Sequence, residues 1–216
     1  METANIELPV YLIGSQFDGG TVEAAFKQFE GRDEFCLSMI DDVKDARGKP
    51  DRWQTVKRCV KKAIEAQEDL FVLCESDHIF TAQFHKDYLI RNIIEAHGQG
   101  CNILCGGVAS FQDAVPLSRN RYWIDSFMVS SFTIIYVKFY QNLLDEPGTE
   151  NLTLDQNLSK MTSHKMTLYP FISVRNYPKS GGLGTLQCEI MYRFTNSGMK
   201  LKIYQEAYDR YILKNR

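Results

Sequence analysis

No apolar run among these 216 residues approaches the ~20 that a membrane-spanning helix needs. The longest candidate, residues 127–139, is broken by Ser130, Ser131, Thr133 and Lys138 and reads as a buried strand leading into a helix. A basic excess is missing too: 25 Lys and Arg stand against 27 Asp and Glu, which argues against a nucleic-acid partner. The six cysteines (36, 59, 74, 101, 105 and 188) include no CxxC pair, so no zinc site is expected. Cys36, Cys74, Cys101 and Cys105 lie in apolar runs, where a free thiol acts as a small hydrophobe, and a reducing, cytoplasmic setting is expected. METANIELPV has neither the basic start nor the apolar core of a signal peptide. There is no GxxxxGK phosphate loop and no internal repeat.

What is present is an alternation of short apolar runs and amphipathic segments. Strands are expected at Leu8–Gly14, Glu34–Ile40, Leu70–Cys74, Cys101–Gly106 and Ser131–Tyr136, with a bent strand over Met166–Val174 broken by Pro170. Helices are expected from Gly19-Gly20-Thr21 to Phe29, and over Asp51–Ala66, Ala82–Ala96, Val137–Leu144, Leu152–Met161 and Gly198–Leu213. In the second of these, Trp53, Val56, Val60, Ala63 and Ile64 share a face, while Lys57, Arg58, Lys61 and Lys62 form a solvated face or a phosphate patch. Runs that are apolar throughout belong to strands covered on both sides, so the expected architecture is three-layer α/β/α with a mostly parallel, Rossmann-related sheet. One domain is expected, with residues 8–110 as a nucleotide-binding half and 111–216 as an acceptor half closed by the last helix.

In such sheets ligands bind beyond the carboxyl ends of the strands, which directs attention to LFVLCESDHIFT, residues 70–81. Alternation along a strand puts Glu75 and Asp77 on one face and Ser76 on the other. Two carboxylates so spaced can hold a hard divalent cation and leave coordination positions for phosphate oxygens. The same residues also suit a surface turn.

The stretch PVYLI (9–13), the helix RWQTVKRCVKKAIE (52–65), the acidic strand LFVLCESD (70–77), FTIIYVKFYQNLLD (132–145) and LTLDQNLSKMTSHKMTLYPFISVR (152–175) together resemble the lipopolysaccharide-type glycosyltransferases of family 25. They also resemble small bacterial glycosyltransferases carrying ESDH-FT and YWID elements. The Glu-Asp-Asp of the family reads Glu75-Ser76-Asp77 here, and Lys49-Pro50-Asp51-Arg52-Trp53 stands where a Ser-His pair is common. The resemblance implies a GT-A fold, Mn2+ or Mg2+, and a nucleotide diphosphate sugar, UDP-linked by preference. It further implies a saccharide or lipid-linked saccharide acceptor in surface-glycan or lipopolysaccharide assembly, inverting chemistry, and peripheral contact with the inner membrane face where the acceptor is lipid-linked.

An inverting transfer needs a carboxylate base. Asp155 matches the family position and equally suits a helix N-terminus. Asp125, beside Tyr122 and Trp123 that resemble a sugar platform, is the second candidate. His78 is a third metal ligand, a diphosphate contact or a structural residue; His164 is a late ligand or a turn histidine; His85 and His97 receive no role. Gly14 and Ser15, Asp41 and Asp42, Ser76, and Gly106 and Gly107 follow strands where a nucleotide sugar would lie. SGGLGT (180–185) reads as a lid or a plain connection. The rival readings are a catalytically idle nucleotide-sugar or partner-binding protein, and a two-metal phosphohydrolase or nucleotidyltransferase.

Overall fold

Leu8–Gly14 (β1) is buried along its whole length, and its alternate residues feed two separate cores. Leu8, Val10 and Leu12 point to one side with Val72 and Cys74; Tyr11 and Ile13 point to the other with Phe71 and Leu73. A strand contributing to both faces must have helices on both faces, and this is the three-layer arrangement expected from the unbroken apolar runs. The computed structural model describes residues 6–14, 19–149, 151–175 and 184–211.

The strands that follow are Phe35–Asp41 (β2), Leu70–Glu75 (β3), His78–Phe80 (β4), Ile103–Cys105 (β5), Ala114–Pro116 (β6), Arg121–Ile124 (β7), Phe132–Tyr136 (β8), Lys165–Leu168 (β9) and Ser173–Arg175 (β10). Eight of them form one sheet in the order β2-β1-β3-β8-β5-β9-β7-β6, and β10 pairs with β4 alone. The α/β class is as expected, but the sheet is mixed rather than mostly parallel. β1 runs parallel to β2 and β3, and β5 to β9, whereas β8 enters antiparallel between β3 and β5, and β7 and β6 are antiparallel.

Gly19–Phe29 (α1) and Lys86–Gly98 (α3) cover one face; Arg52–Glu65 (α2), Tyr140–Asp145 (α4), Leu154–Met161 (α5) and Gly184–Tyr211 (α6) cover the other. α2 is capped by Asp51, whose side chain accepts from Gln54 N, and buries Trp53, Val56, Cys59, Val60 and Ala63. Ile64, expected inside, is exposed. The cationic face is engaged by the protein itself. Lys57 donates to Leu144 O, Arg58 to Asp41 O, and Lys62 lies over the Tyr11 ring.

Three expectations are corrected. Cys36 is exposed because β2 is the sheet edge, while Cys59 is buried. α3 starts at Lys86, not Ala82, and residues 81–84 form a turn in which Gln83 N donates to Thr81 Oγ1 and Phe84 N to Thr81 O. α6 starts at Gly184, not Gly198, since Ile190, Phe194, Ser197 and Leu201 bury one continuous stripe through the low-propensity Thr195-Asn196-Ser197-Gly198 stretch. The expected loop is helix at Gly184 and Thr185, and its earlier residues lie outside the described ones.

Candidate active site

The parallel strands β2, β1 and β3 end level with one another. Gly14 pairs with Asp41, and Ile13 with Glu75. Past Glu75 the chain turns through Ser76-Asp77, anchored by Ser76 N donating to Ile13 O at 3.1 Å and by Glu75 N donating to Ser131 O at 3.0 Å. It then continues as β4, whose antiparallel register sets His78 opposite Arg175. That register brings the Arg175 guanidinium over the acidic turn. Its Nη2 pairs with Glu75 Oε2, and its Nε with Asp77 Oδ2 at 3.0 Å. Glu75 and Asp77 therefore share a counter-ion; β3 ends at Glu75, so it is the Ser76-Asp77 turn and not strand alternation that places Asp77.

Burial pushes the Asp77 carboxyl up to about 7, the Arg175 charge pulling against it and the Glu75 charge adding to it. Asp155 responds in the same way. Burial and the Glu75 charge raise it to about 7 against the pull of Arg175 and of the backbone amides of Ser130 and Val129. Those amides donate to Asp155 Oδ2 at 3.2 and 2.7 Å. Val129 has φ 59°, a strained value for a β-branched residue, and the carboxylate holds it there. Asp155 itself is placed by the Thr153–Gln156 capping box at the start of α5. The links run Asp155 to Ser130, Ser131 to Glu75, and Ser131 Oγ to Val174 O, so α5, β8, β3 and β10 meet at this point.

The other expected residues fare differently. His78 is not brought to the carboxylates. Its ring packs against Phe29, Phe80 and Phe132, and its Nδ1 lies 2.8 Å from Ser173 Oγ; burial, with the Arg32 charge, lowers it to about 3. His164 precedes β9 and its carbonyl accepts from Asn102 and Ile103 at the start of β5, at the amino ends of these strands and so opposite to the carboxyl ends that carry the acidic turn. Asp125 fastens a loop, accepting from Gln112 N, Asp113 N and Ser126 Oγ. Burial raises its carboxyl, but these donors outweigh it and the net shift is downward. Tyr122 is fully buried and Trp123 donates to Ser163 O, so the pair forms no sugar platform.

The strand-end glycines meet protein. A Cβ on Gly14 would lie 2.8 Å from Ser76 Cβ and Oγ, and one on Gly107 would lie 2.2 Å from Ser173 O. Gly106 is hemmed in by Phe132, Ile172 and Ser173. Ser15 lies outside the described residues. Asp41 is exposed at the end of β2, and Asp42 Oδ1 accepts from Arg52 Nη1 at 3.1 Å. Arg52, whose charge also reaches Asp77, lines a cleft of roughly 820 Å³ between the start of α2 and residues 147–157. Gly148, in the left-handed region at φ 81°, lies flat on the Trp53 ring at its floor.

Among the described residues no three or more His, Cys, Asp and Glu side chains form a group that could hold a metal. The Glu75–Asp77 pair fits a divalent cation in a more limited way, as two carboxylates completed by a ligand's own oxygens. Asp77 Oδ1 is buried without a hydrogen-bond partner, an acceptor that Arg175 leaves unused. Arg175 is the residue that sequence reasoning missed. Its signal is an apolar strand, FISV, closing on Arg as LFVLC closes on Glu.

No protein-family model and no curated protein sequence matches the chain. Solved structures do. A197 of STIV superposes with a TM-score of 0.52 at 10% identity, over 76% of this chain and 82% of its own. A mannosyltransferase from Pyrobaculum calidifontis, solved with GDP-Man and Mn2+, gives 0.51 at 11% identity, over 97% and 71%. The glycosyltransferase GlyE of Streptococcus pneumoniae gives 0.51 at 9%, over 94% and 63%. The fold is the GT-A-like α/β fold of such glycosyltransferases.

Proposed function

We propose that this chain binds a nucleotide diphosphate sugar beyond the carboxyl ends of β1, β2 and β3 and transfers a hexose to a saccharide acceptor. The observation that carries the reading is the Glu75–Asp77 pair, two carboxylates side by side at the edge where this class of sheet binds ligands. The fold, shared with transferases of which one was solved with GDP-Man and Mn2+, supports it. Glu75 and Asp77 would hold Mn2+ or Mg2+, which when bound supplies neutralising charge to a leaving diphosphate. Asp41 suits the ribose hydroxyls. The cleft beside Arg52 suits the rest of the donor or the acceptor.

Asp155 is the favoured base, since a carboxyl raised to about 7 is matched to proton transfer near neutral pH. Its amide contacts hold it in place while it acts. A UDP-sugar donor, inverting transfer, and surface-glycan or lipopolysaccharide assembly at the cytoplasmic membrane face belong to the same reading through the family 25 resemblance. A second reading, an idle nucleotide-sugar-binding protein, is favoured by the way Arg175 already neutralises the pair.

Calorimetric titration of UDP and GDP, with and without Mn2+, into wild type, Asp77→Asn and Asp155→Asn tests this. Expected is metal-dependent binding of one nucleotide, lost in Asp77→Asn and kept in Asp155→Asn, with sugar turnover lost in both. Binding without turnover in wild type moves the protein to the idle reading, and no binding of either nucleotide removes the proposal.

A further inference from the structure

The contact between Arg175 and the acidic turn is built into the backbone. Arg175 ends β10 opposite His78, so its side chain emerges one residue beyond Asp77, and no rearrangement is needed for its fork to span Glu75 and Asp77. The three side chains are only 11%, 21% and 17% exposed, so the charges meet where water screens them weakly. A guanidinium keeps its charge at any working pH and offers donors in a fork matched to carboxylate or phosphate. The Arg52 charge reaches Asp77 as well, and the buried Asp77 Oδ1 accepts no hydrogen bond. The pair is thus held by an internal cation.

Arg175 engages one oxygen of each carboxylate, Glu75 Oε2 and Asp77 Oδ2, so a hard divalent cation held by these two carboxylates would meet the guanidinium at contact distance. A guanidinium and a dication cannot both sit on them, because like charges at contact distance in a half-buried site repel by several kcal/mol. We propose that Arg175 and a divalent cation are alternative occupants of the Glu75–Asp77 pair, and that the displaced guanidinium becomes a contact for the donor's diphosphate. Arg175 is anchored by β10 pairing through Ser173 and Val174, so on leaving the carboxylates it stays at the site's rim. Phosphate oxygens arriving there meet the same fork. In the empty site the exchange keeps the acidic turn neutralised; with donor and cation it places a second positive charge on the leaving group. This inference rests on the reading that the pair serves a nucleotide diphosphate.

The test titrates Mn2+ alone into wild type, R175Q and R175K, then UDP and GDP at saturating Mn2+. R175Q is expected to bind Mn2+ about tenfold or more tightly than wild type, and to bind the nucleotide more weakly by a similar factor. An arginine with only a structural role gives the opposite first result, since its loss loosens the turn and weakens Mn2+. R175K keeps the charge but loses the two-pronged fork, so its Mn2+ affinity should fall between the other two, and it remains informative if R175Q does not fold. Mn2+ affinity in the variants equal to or below wild type overturns the exchange, while nucleotide binding by wild type in the same titrations leaves the function reading intact. Tighter Mn2+ with no nucleotide bound by any of the proteins overturns the function reading, and the diphosphate contact with it.

Discussion

His78 and Asp77 are neighbours in the chain, yet burial moves them in opposite directions. Loss of water penalises the charged form, so the carboxyl rises to about 7 and the imidazole falls to about 3. The histidine shift carries a sign that can be measured. Unfolded, His78 takes up a proton below its ordinary value of 6.5, whereas folded it stays neutral down to about 3. Its contribution to stability is therefore complete above pH 6.5 and drains away as pH falls from there toward 3, by roughly 1 kcal/mol per pH unit. Asp77 and Asp155, raised in the folded state, work the other way and lose stability as pH climbs toward 7. Those two are common to wild type and His78→Gln, so the difference between the proteins isolates the imidazole. Urea midpoints at pH 7.5, 6 and 5 should show the wild-type advantage shrinking at each step; a constant gap would mean that His78 is not held neutral in the core.

At the level of elements, glycine spacing in this chain is a record of close packing between strands. Gly107 has room for no side chain because Ser173 O lies where its Cβ would be, and Ser173 opens β10, the strand that carries Arg175. Gly107→Ala should cost on the order of 1–3 kcal/mol by forcing β10 away, and should weaken nucleotide binding because Arg175 moves with it. Gly98→Ala, at the end of α3 with nothing within 4 Å, should be neutral or slightly stabilising. Thermal melts of the two variants, with a UDP titration of each, compare these outcomes directly. The glycines after the strands were legible as special positions, but which neighbour demanded them was not, because Ser173 and Ser76 come into contact only through the tertiary fold. The same holds for α6. Its low-propensity middle hides the stripe from Ile190 to Leu201, and only the core beneath it, with Ser197 Oγ donating to Ala109 O, makes one helix of 28 residues. β4 was missed for a related reason, being three residues long and pairing only with β10.

Across the whole molecule, the legible part is what local spacing encodes. Strands buried on both sides read as unbroken apolar runs, and the acidic pair reads as a dipeptide step at a strand end. What could not be read is which strands run antiparallel, since β8 between β3 and β5 leaves no local trace, and which distant cation answers the acids. The consequence is that the site is assembled from both halves of the sequence: Glu75 and Asp77 from β3 and its turn, Asp155 from α5 and Arg175 from β10. The eight-stranded sheet also runs through both halves, β3 pairing with β8 and β5 with β9. A ligand that binds these residues is therefore linked to the folding of the entire chain. At a hundred times Kd, nucleotide with Mn2+ should add about 2.7 kcal/mol, raising Tm by roughly 2–4 °C for each kcal/mol in a protein of this length. Calorimetric melts should show one transition that moves as a unit. Two transitions, of which only one follows the ligand, would mean that residues 8–110 and 111–216 fold as separate domains and that the nucleotide is held by the first alone.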